Sequence, residues 1–262
     1  MTDAATDLKV TVLGCGASSG VPWIGNDWGD CDPDEPRNAR TRASIVVESA
    51  TTRILVDTSP DLRRQMLDND FADFDAVIYT HAHADHAHGI DDVRVMYRMY
   101  DKVYPVYASP QTFGMLKRNF SYAFESAGPL YPPFYDCHDI EGPFRIGDID
   151  IVPFDQDHGD LTTTGFQFGP FAYSTDLVGI SEAGYKALAN VDTWMVQALR
   201  PKPHPTHAHL DMALGWIDQI KPRRAILTHM TVFMDYGTLA RDLPPGIEPA
   251  YDGMVIRVNE AP

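Results

Sequence analysis

The chain has 262 residues and a formal net charge of −16, from 21 Lys and Arg against 37 Asp and Glu. With 44% hydrophobic and 11% aromatic residues it can bury a sizeable core, which argues against disorder. The acidic balance argues against a surface that tracks long nucleic acid, but leaves room for a small anion at a cation-filled pocket.

The opening stretch, Met1 to Asp7, is polar and acidic and lacks the basic end and apolar run of a secretory signal. No apolar run of about 18 residues occurs, so no membrane span and a cytoplasmic protein are expected. Cys15, Cys31 and Cys137 are odd in number and without CxxC spacing, which favours reduced thiols over a disulfide framework. One domain over residues 1–262 is expected, of α/β (α+β) class, because strand and helix patterns alternate.

Leu8 to Leu13 reads as a strand, followed by Gly14-Cys15-Gly16 and a long loop from about Ala17 to Arg42. Ser44 to Glu48 and Arg53 to Asp57 read as a hairpin, and Leu62 to Leu67 as a short helix after Ser59-Pro60-Asp61. Ala76 to Thr80 is a short apolar strand. Asp91 to Tyr100 is helical, Pro105 to Ala108 a strand, and Ser109-Pro110 opens a helix to about Asn119. Tyr122 to Cys137, rich in Gly and Pro, is expected to be an irregular excursion. Further strands are expected at Ile149 to Phe154, Gly165 to Phe168, Phe171 to Ser174, Thr193 to Gln197 and Ala225 to Thr228. Helices at about Glu182 to Ala189 and Leu210 to Ile220 intervene.

The strongest signal is His81-Ala82-His83-Ala84-Asp85-His86, directly after a strand. In an extended segment residues two apart share a side, so His81 and His83 can grip one ion. If the chain then turns helical, Asp85 and His86 arrive from another direction and can serve a second. Packing does not explain four metal-competent side chains within six positions. His158, Asp176 and His229 each follow a strand pattern and complete two coordination shells. His207 and His209 stay open: one is a proton donor, or both simply precede a helix. His88, His138 and His204 are read as surface or supporting residues. Asp57 either orients a ligand histidine or forms the turn before Ser59-Pro60. Arg37, Arg40 and Arg42 are read first as solvated or loop-pinning, with contact to substrate phosphate as the alternative.

Here the chain resembles the metallo-β-lactamase superfamily, whose HxHxDH signature stands as HAHADH, followed in order by His158, Asp176 and His229. The stretch from Leu13 to Pro22, Arg37 to Ser44, and Asp57-Thr58-Ser59-Pro60-Asp61 resemble the branch with phosphoribosyl 1,2-cyclic phosphate phosphodiesterase. Ribonuclease Z and the pyrroloquinoline quinone synthesis protein B are further relatives. The resemblance spans roughly residues 8 to 258. It implies a four-layer αββα sandwich with metals at one edge of the two sheets. It implies that His81, His83 and His158 hold one ion, that Asp85, His86 and His229 hold the other, and that Asp176 lies between them. His209-Leu210 matches the segment where such phosphodiesterases place a histidine acting on the phosphate or leaving group, so His209, with Asp85, is the expected catalytic set. Members of that branch often hold a structural zinc through several cysteines and a later histidine. Cys31 stands alone here and Val232 follows His229 by three, so no structural zinc is expected.

Imidazole and carboxylate donors without thiolate suit two divalent ions, Zn(II) first and Mn(II) or Fe(II) next. Such ions, about 3.5–4 Å apart, activate a bridging water that would attack phosphorus. The expected function is therefore a dinuclear-metal phosphodiesterase acting on a small phosphoester, cyclic and nucleotide-like substrates included. Two alternatives stand beside it: a metallo-hydrolase of a thioester, lactone or lactam, and a non-catalytic metal- and nucleotide-binding protein. Neither long nucleic acid nor membrane is expected as a partner. A homodimer, through sheet edges and the loop of Trp23 and Trp28, is what the resemblance implies.

Overall fold

The computed structural model describes residues 7–126, 128 and 132–258. The acidic start at 1–6, and residues 127 and 129–131 of the expected excursion, lie outside them. The first half forms strands β1 (Leu8–Gly14), β2 (Ser44–Glu48), β3 (Arg53–Val56), β4 (Ala76–Ile78), β5 (Tyr104–Ala108) and β6 (Tyr135–Asp139). Its helices are α1 (Leu62–Asp68), α2 (Ala84–Ala87), α3 (Val93–Tyr100), α4 (Pro110–Asn119) and α5 (Ser121–Phe124). The second half forms β7 (Phe144–Ile146), β8 (Ile149–Asp157), β9 (Thr162–Phe168), β10 (Phe171–Ser174), β11 (Gly179–Ile180) and β12 (Thr193–Gln197). It ends with β13 (Arg224–Thr228), β14 (Ile247–Pro249) and β15 (Val255–Val258), and contains α6 (Glu182–Leu188), α7 (Leu210–Ile220) and α8 (Tyr236–Asp242).

Two sheets result. One has the order β15-β1-β2-β3-β4-β5-β6, the other β11-β8-β9-β10-β12-β13-β14 with β7 beside β8. The last strand crosses back to the first sheet, pairing Val258 with Leu8. Side chains alternate faces along a strand, and in the first sheet both faces are dry. Ile45, Val47, Ile54, Val56, Ala76 and Ile78 point into the core shared with the second sheet. Their neighbours Val46, Leu55 and Val77 point the other way, into a second core with Leu62, Val93 and Leu116 from the helices. That is why these strands read as unbroken apolar runs. On the far side, Ala213 and Ile217 of α7 and Leu239 of α8 pack onto the second sheet. The layers are therefore helix, sheet, sheet, helix.

The structure departs from the sequence reading in several places. The stretch Tyr122 to Cys137 is not irregular throughout: α5 covers its start, and β6 runs from Tyr135, pairing in parallel with β5 in register Tyr104 with Tyr135. β6 is an edge strand with three of its five residues exposed, so its pattern is mostly polar. The helix expected from Asp91 begins at Val93, after a 3-10 turn at Ile90–Asp92. β8 and β9 form a long hairpin, from Ile151 opposite Phe168 to Asp157 opposite Thr162, whose polar end hid its length. The elements after His229 are too short and mixed in pattern to stand out. Among the described residues no helix is long and apolar enough to cross a membrane.

Candidate metal centre

Strand ends build the site. After β4 the chain stays extended, with His83 at φ −65° and ψ 158°, and then turns into α2. His81 and His83 thus leave the extended segment with rings 4.5 Å apart, while Asp85 and His86 sit in the first helical turn. Gly89 lets α2 lie close to the preceding turn: a Cβ there would stand 2.1 Å from the Ser59 carbonyl. His158 follows β8, Asp176 follows β10 and His229 follows β13. Asp57, Asp176 and His229 all adopt left-handed backbone, at φ +64°, +52° and +55°. This conformation is costly for residues with a Cβ and clusters at functional sites. It bends each chain segment abruptly at the sheet edge.

The seven side chains expected as ligands converge into two groups, His81, His83, His158 and Asp176, and Asp85, His86, Asp176 and His229. Within each group the donor atoms lie within 4.8 Å of one another. Asp176 belongs to both, and its two oxygens divide the work. Oδ2 faces His81 Nε2 at 3.4 Å and His158 Nε2 at 3.6 Å. Oδ1 faces His229 Nε2 at 2.9 Å and His86 Nε2 at 3.5 Å. Asp85 Oδ2 stands 3.4 Å from both His86 Nε2 and His229 Nε2.

Three of the other ring nitrogens, on His81, His86 and His158, are tied down. His86 Nδ1 donates to Asp57 Oδ2 at 2.7 Å, and His158 Nδ1 to the Thr206 carbonyl at 2.8 Å. His81 Nδ1 lies 3.1 Å from Thr80 Oγ1, which itself donates to Asp57 Oδ2. These bonds select the tautomer that leaves Nε2 bare toward the centre. His81 Nε2 and His86 Nε2 are buried and have no hydrogen-bond partner. Buried polar atoms rarely go unsatisfied, and unpartnered imidazole lone pairs beside carboxylates are the donor set that divalent cations take. The residues present fit two metal ions.

The electrostatics agree. Burial, helped by neighbouring His86, pushes His81 down to about 4. Burial also lowers His83. Burial would lower His86 and His229 as well, but their carboxylates prevail. Asp85, Asp176 and Asp57 hold His86 well above the usual range, and Asp176 and Asp85 raise His229 to about 9. Against its own burial, Asp176 is held well below the carboxylate range by His229 and His86. The protein thus concentrates negative charge on buried imidazoles, which suits a site built for positive charge.

The centre opens into a cavity of about 290 Å³ bordered by His83, Asp85, His158, Asp176, Thr206 and His207, with Ser18, Asp160 and Leu161. The resemblance favours His209 over His207 for the catalytic set, but it is His207 that borders the cavity. Its ring stacks on His229 at 5.5 Å and meets His158 edge-on at 4.7 Å. Its Nδ1 lies 3.3 Å from Gln197 Oε1, which also accepts from the Asp176 backbone amide. His209 does not border this cavity; it caps α7 without a side-chain capping bond. His204 lies behind His207, and His138 pairs with exposed Asp136 on β6. Of the three arginines, Arg37 pairs with Glu35, and Arg40 is buried against Asn38 and Cys31. Arg42 pairs with Asp61. Cys31 packs with Val21 and Val232 in a small apolar cluster.

Sequence reasoning did not find Thr80, Thr206, Gln197 or Ser18. Gln197 carried a usable signal, as a polar residue ending the apolar strand β12. Thr206 acts through its carbonyl, which no side-chain pattern reports.

Comparison with known proteins agrees with this geometry. Residues 52–230 match the family model described as a beta-lactamase superfamily domain. A solved diphosphatase of the PhnP family is 34% identical, with a TM-score of 0.89 over 96% of this chain and 97% of that one. Zinc-bound PqqB from Methylobacterium extorquens shares the fold at 18% identity, with a TM-score of 0.72 over 95% of this chain and 100% of that one. An octanoyltransferase from Porphyromonas gingivalis is 30% identical over 97% of this chain. The chain spans about half the length of that curated relative, 52%, so the name describes a larger protein. With the αββα layers, the HAHADH segment and the family match over residues 52–230, the chain belongs to the metallo-β-lactamase superfamily.

Proposed function

We propose that this protein is a hydrolase that cleaves small phosphodiesters or diphosphates with two divalent ions, zinc in the first place. The observation that carries this reading is the divided carboxylate of Asp176, one oxygen toward His81 and His158, the other toward His86 and His229. When bound, a metal pair supplies Lewis acidity toward phosphoryl oxygens and lowers the pKa of water. The 34% identical relative, named a diphosphatase, supports the choice of phosphorus over carbon as the centre attacked. The donors are imidazole and carboxylate, which suits zinc and also manganese or iron.

The chain's own residues define the rest. Asp57, Thr80 and the Thr206 carbonyl hold the imidazoles of His86, His81 and His158 in one tautomer, so these donors need no rearrangement. His207 borders the cavity, and Gln197 holds its Nδ1, which leaves Nε2 as the nitrogen for the departing oxygen. Burial first of all pushes His207 down to about 3, keeping the ring neutral at pH 7. An arriving phosphate anion favours its protonated form, the state that delivers a proton to the leaving group.

The test is a panel of bis(p-nitrophenyl) phosphate, a diphosphate diester, a thioester and a lactone on zinc-, manganese- and iron-loaded protein. The expected result is phosphoester turnover that falls at least about 100-fold in His83→Ala. Turnover of the thioester or lactone alone would overturn the proposal in favour of acyl chemistry. Undiminished activity in His83→Ala would detach it from this centre.

A further inference from the structure

A second cavity, of about 490 Å³, adjoins the metal centre and has the volume of an ordinary small-molecule site. Ser18 and Asp85 border both cavities, so the two adjoin. Its far wall combines one cation, Arg42, with the apolar surface of Trp23, Ile24 and Pro60.

Each of these features points to a ligand. Arg42 is held from one side, its Nε 3.0 Å from Asp61 Oδ2 and its backbone amide on the same oxygen. Among the described residues no hydrogen bond occupies its two terminal amino groups, in a chain where acids outnumber bases 37 to 21. Trp23 is fixed edge-on against Phe233 at 5.6 Å, and its buried indole N–H has no partner. Ile24, beside it at the rim, is 103% exposed. A guanidinium with free donors recognises phosphate or carboxylate, and an indole beside an aliphatic rim recognises a planar ring.

We propose that this cavity is the subsite for the non-reacting half of the substrate, and that it takes a second phosphoryl group followed by a ring-bearing organic part. The inference rests on the phosphoesterase reading above and sharpens it: the substrate class is a diphosphate diester of the dinucleotide kind. One phosphoryl group lies at the His81–His229 centre. The next passes Ser18 to meet Arg42, and its organic substituent lies along Trp23 and Ile24.

The test compares kcat/KM for P1,P2-di(adenosine-5′) diphosphate with that for bis(p-nitrophenyl) phosphate, on zinc-loaded protein. The quantity read is the ratio of the two, diphosphate over simple diester. Arg42→Met is expected to lower this ratio at least about tenfold, mainly through the KM of the diphosphate, as loss of a charged hydrogen bond would. Ile24→Asp places a carboxylate at the rim of a fully exposed position, where folding is indifferent to it. It is expected to lower the ratio about threefold or more by repelling the second phosphoryl group. If Arg42→Met melts early, Ile24→Asp decides alone. Ratios within twofold of the unaltered protein would overturn the subsite while leaving the phosphoesterase reading intact. No turnover of either ester would overturn that reading and this one with it.

Discussion

His86 Nδ1 lies 2.7 Å from Asp57 Oδ2, and neither residue is reached by solvent. The same carboxylate accepts from the Thr80 amide and hydroxyl, each at 2.8 Å, and that hydroxyl meets His81 Nδ1. One buried acid therefore aims an imidazole of each donor group, one directly and one through a threonine.

Asp57→Asn should weaken metal binding by about 10–100-fold, the usual cost of losing a partner that orients a ligand. Asparagine tolerates the left-handed backbone found there, so the substitution tests charge and not strain. Thr80→Val should cost less, because it releases His81 and one bond to Asp57 but leaves Asp57 on His86. Chelator competition measures both. Equal affinity in Asp57→Asn and the unaltered protein would show that Asp57 serves the turn alone.

In the metal-free protein the proton on His229, with its pKa raised to about 9, favours the folded state. That contribution is complete below the unfolded pKa near 6.5 and is lost as pH rises toward 9. His86, raised by its carboxylates, acts in the same direction. Metal must displace these protons, so the metal-loaded protein should gain on the metal-free one as pH rises through this window. Thermal melts of both forms from pH 6.5 to pH 9 measure the gap, which should widen. A gap that narrows would contradict the assignment of these histidines as metal ligands.

His207 and His209 separate cleanly. His207→Ala should lower kcat by roughly 10²–10⁴-fold if it hands a proton to the leaving group. His209→Ala, away from the cavity, should stay within about threefold, since it provides no general acid. The reverse order would place the donor on the α7 cap.

Gly89→Ala should destabilise the protein by about 2 kcal/mol or more, because the new Cβ meets the Ser59 carbonyl at 2.1 Å. The clash pushes α2 away and carries Asp85 and His86 with it. Chemical denaturation, with metal content measured alongside, checks both effects. A normal denaturation midpoint would mean that the turn yields.

Much of this was legible in the residue order, and the reason differs by element. The apolar runs at Ser44–Glu48, Arg53–Val56 and Ala76–Ile78 announce strands buried on both faces. HAHADH announces a donor cluster because packing has no use for it. β6 was hidden by its polar edge, and α8, β14 and β15 by short, mixed patterns. The division of Asp176 between two donor groups was legible only through family resemblance. Which oxygen faces which ring is a matter of tertiary placement, at a residue whose φ of +52° no sequence pattern reports. Between His207 and His209 the residues give equal chemistry and the resemblance points to His209, whereas tertiary placement puts His207 at the cavity.

The central claim is that Asp176 is shared by two cations. Elemental analysis of active protein, beside Asp176→Asn, tests it most directly. The account predicts about two divalent ions per chain in the active protein, and one or none in the variant, with activity lost in step. Full activity with a single ion per chain, or an unchanged pair of ions in Asp176→Asn, would contradict it.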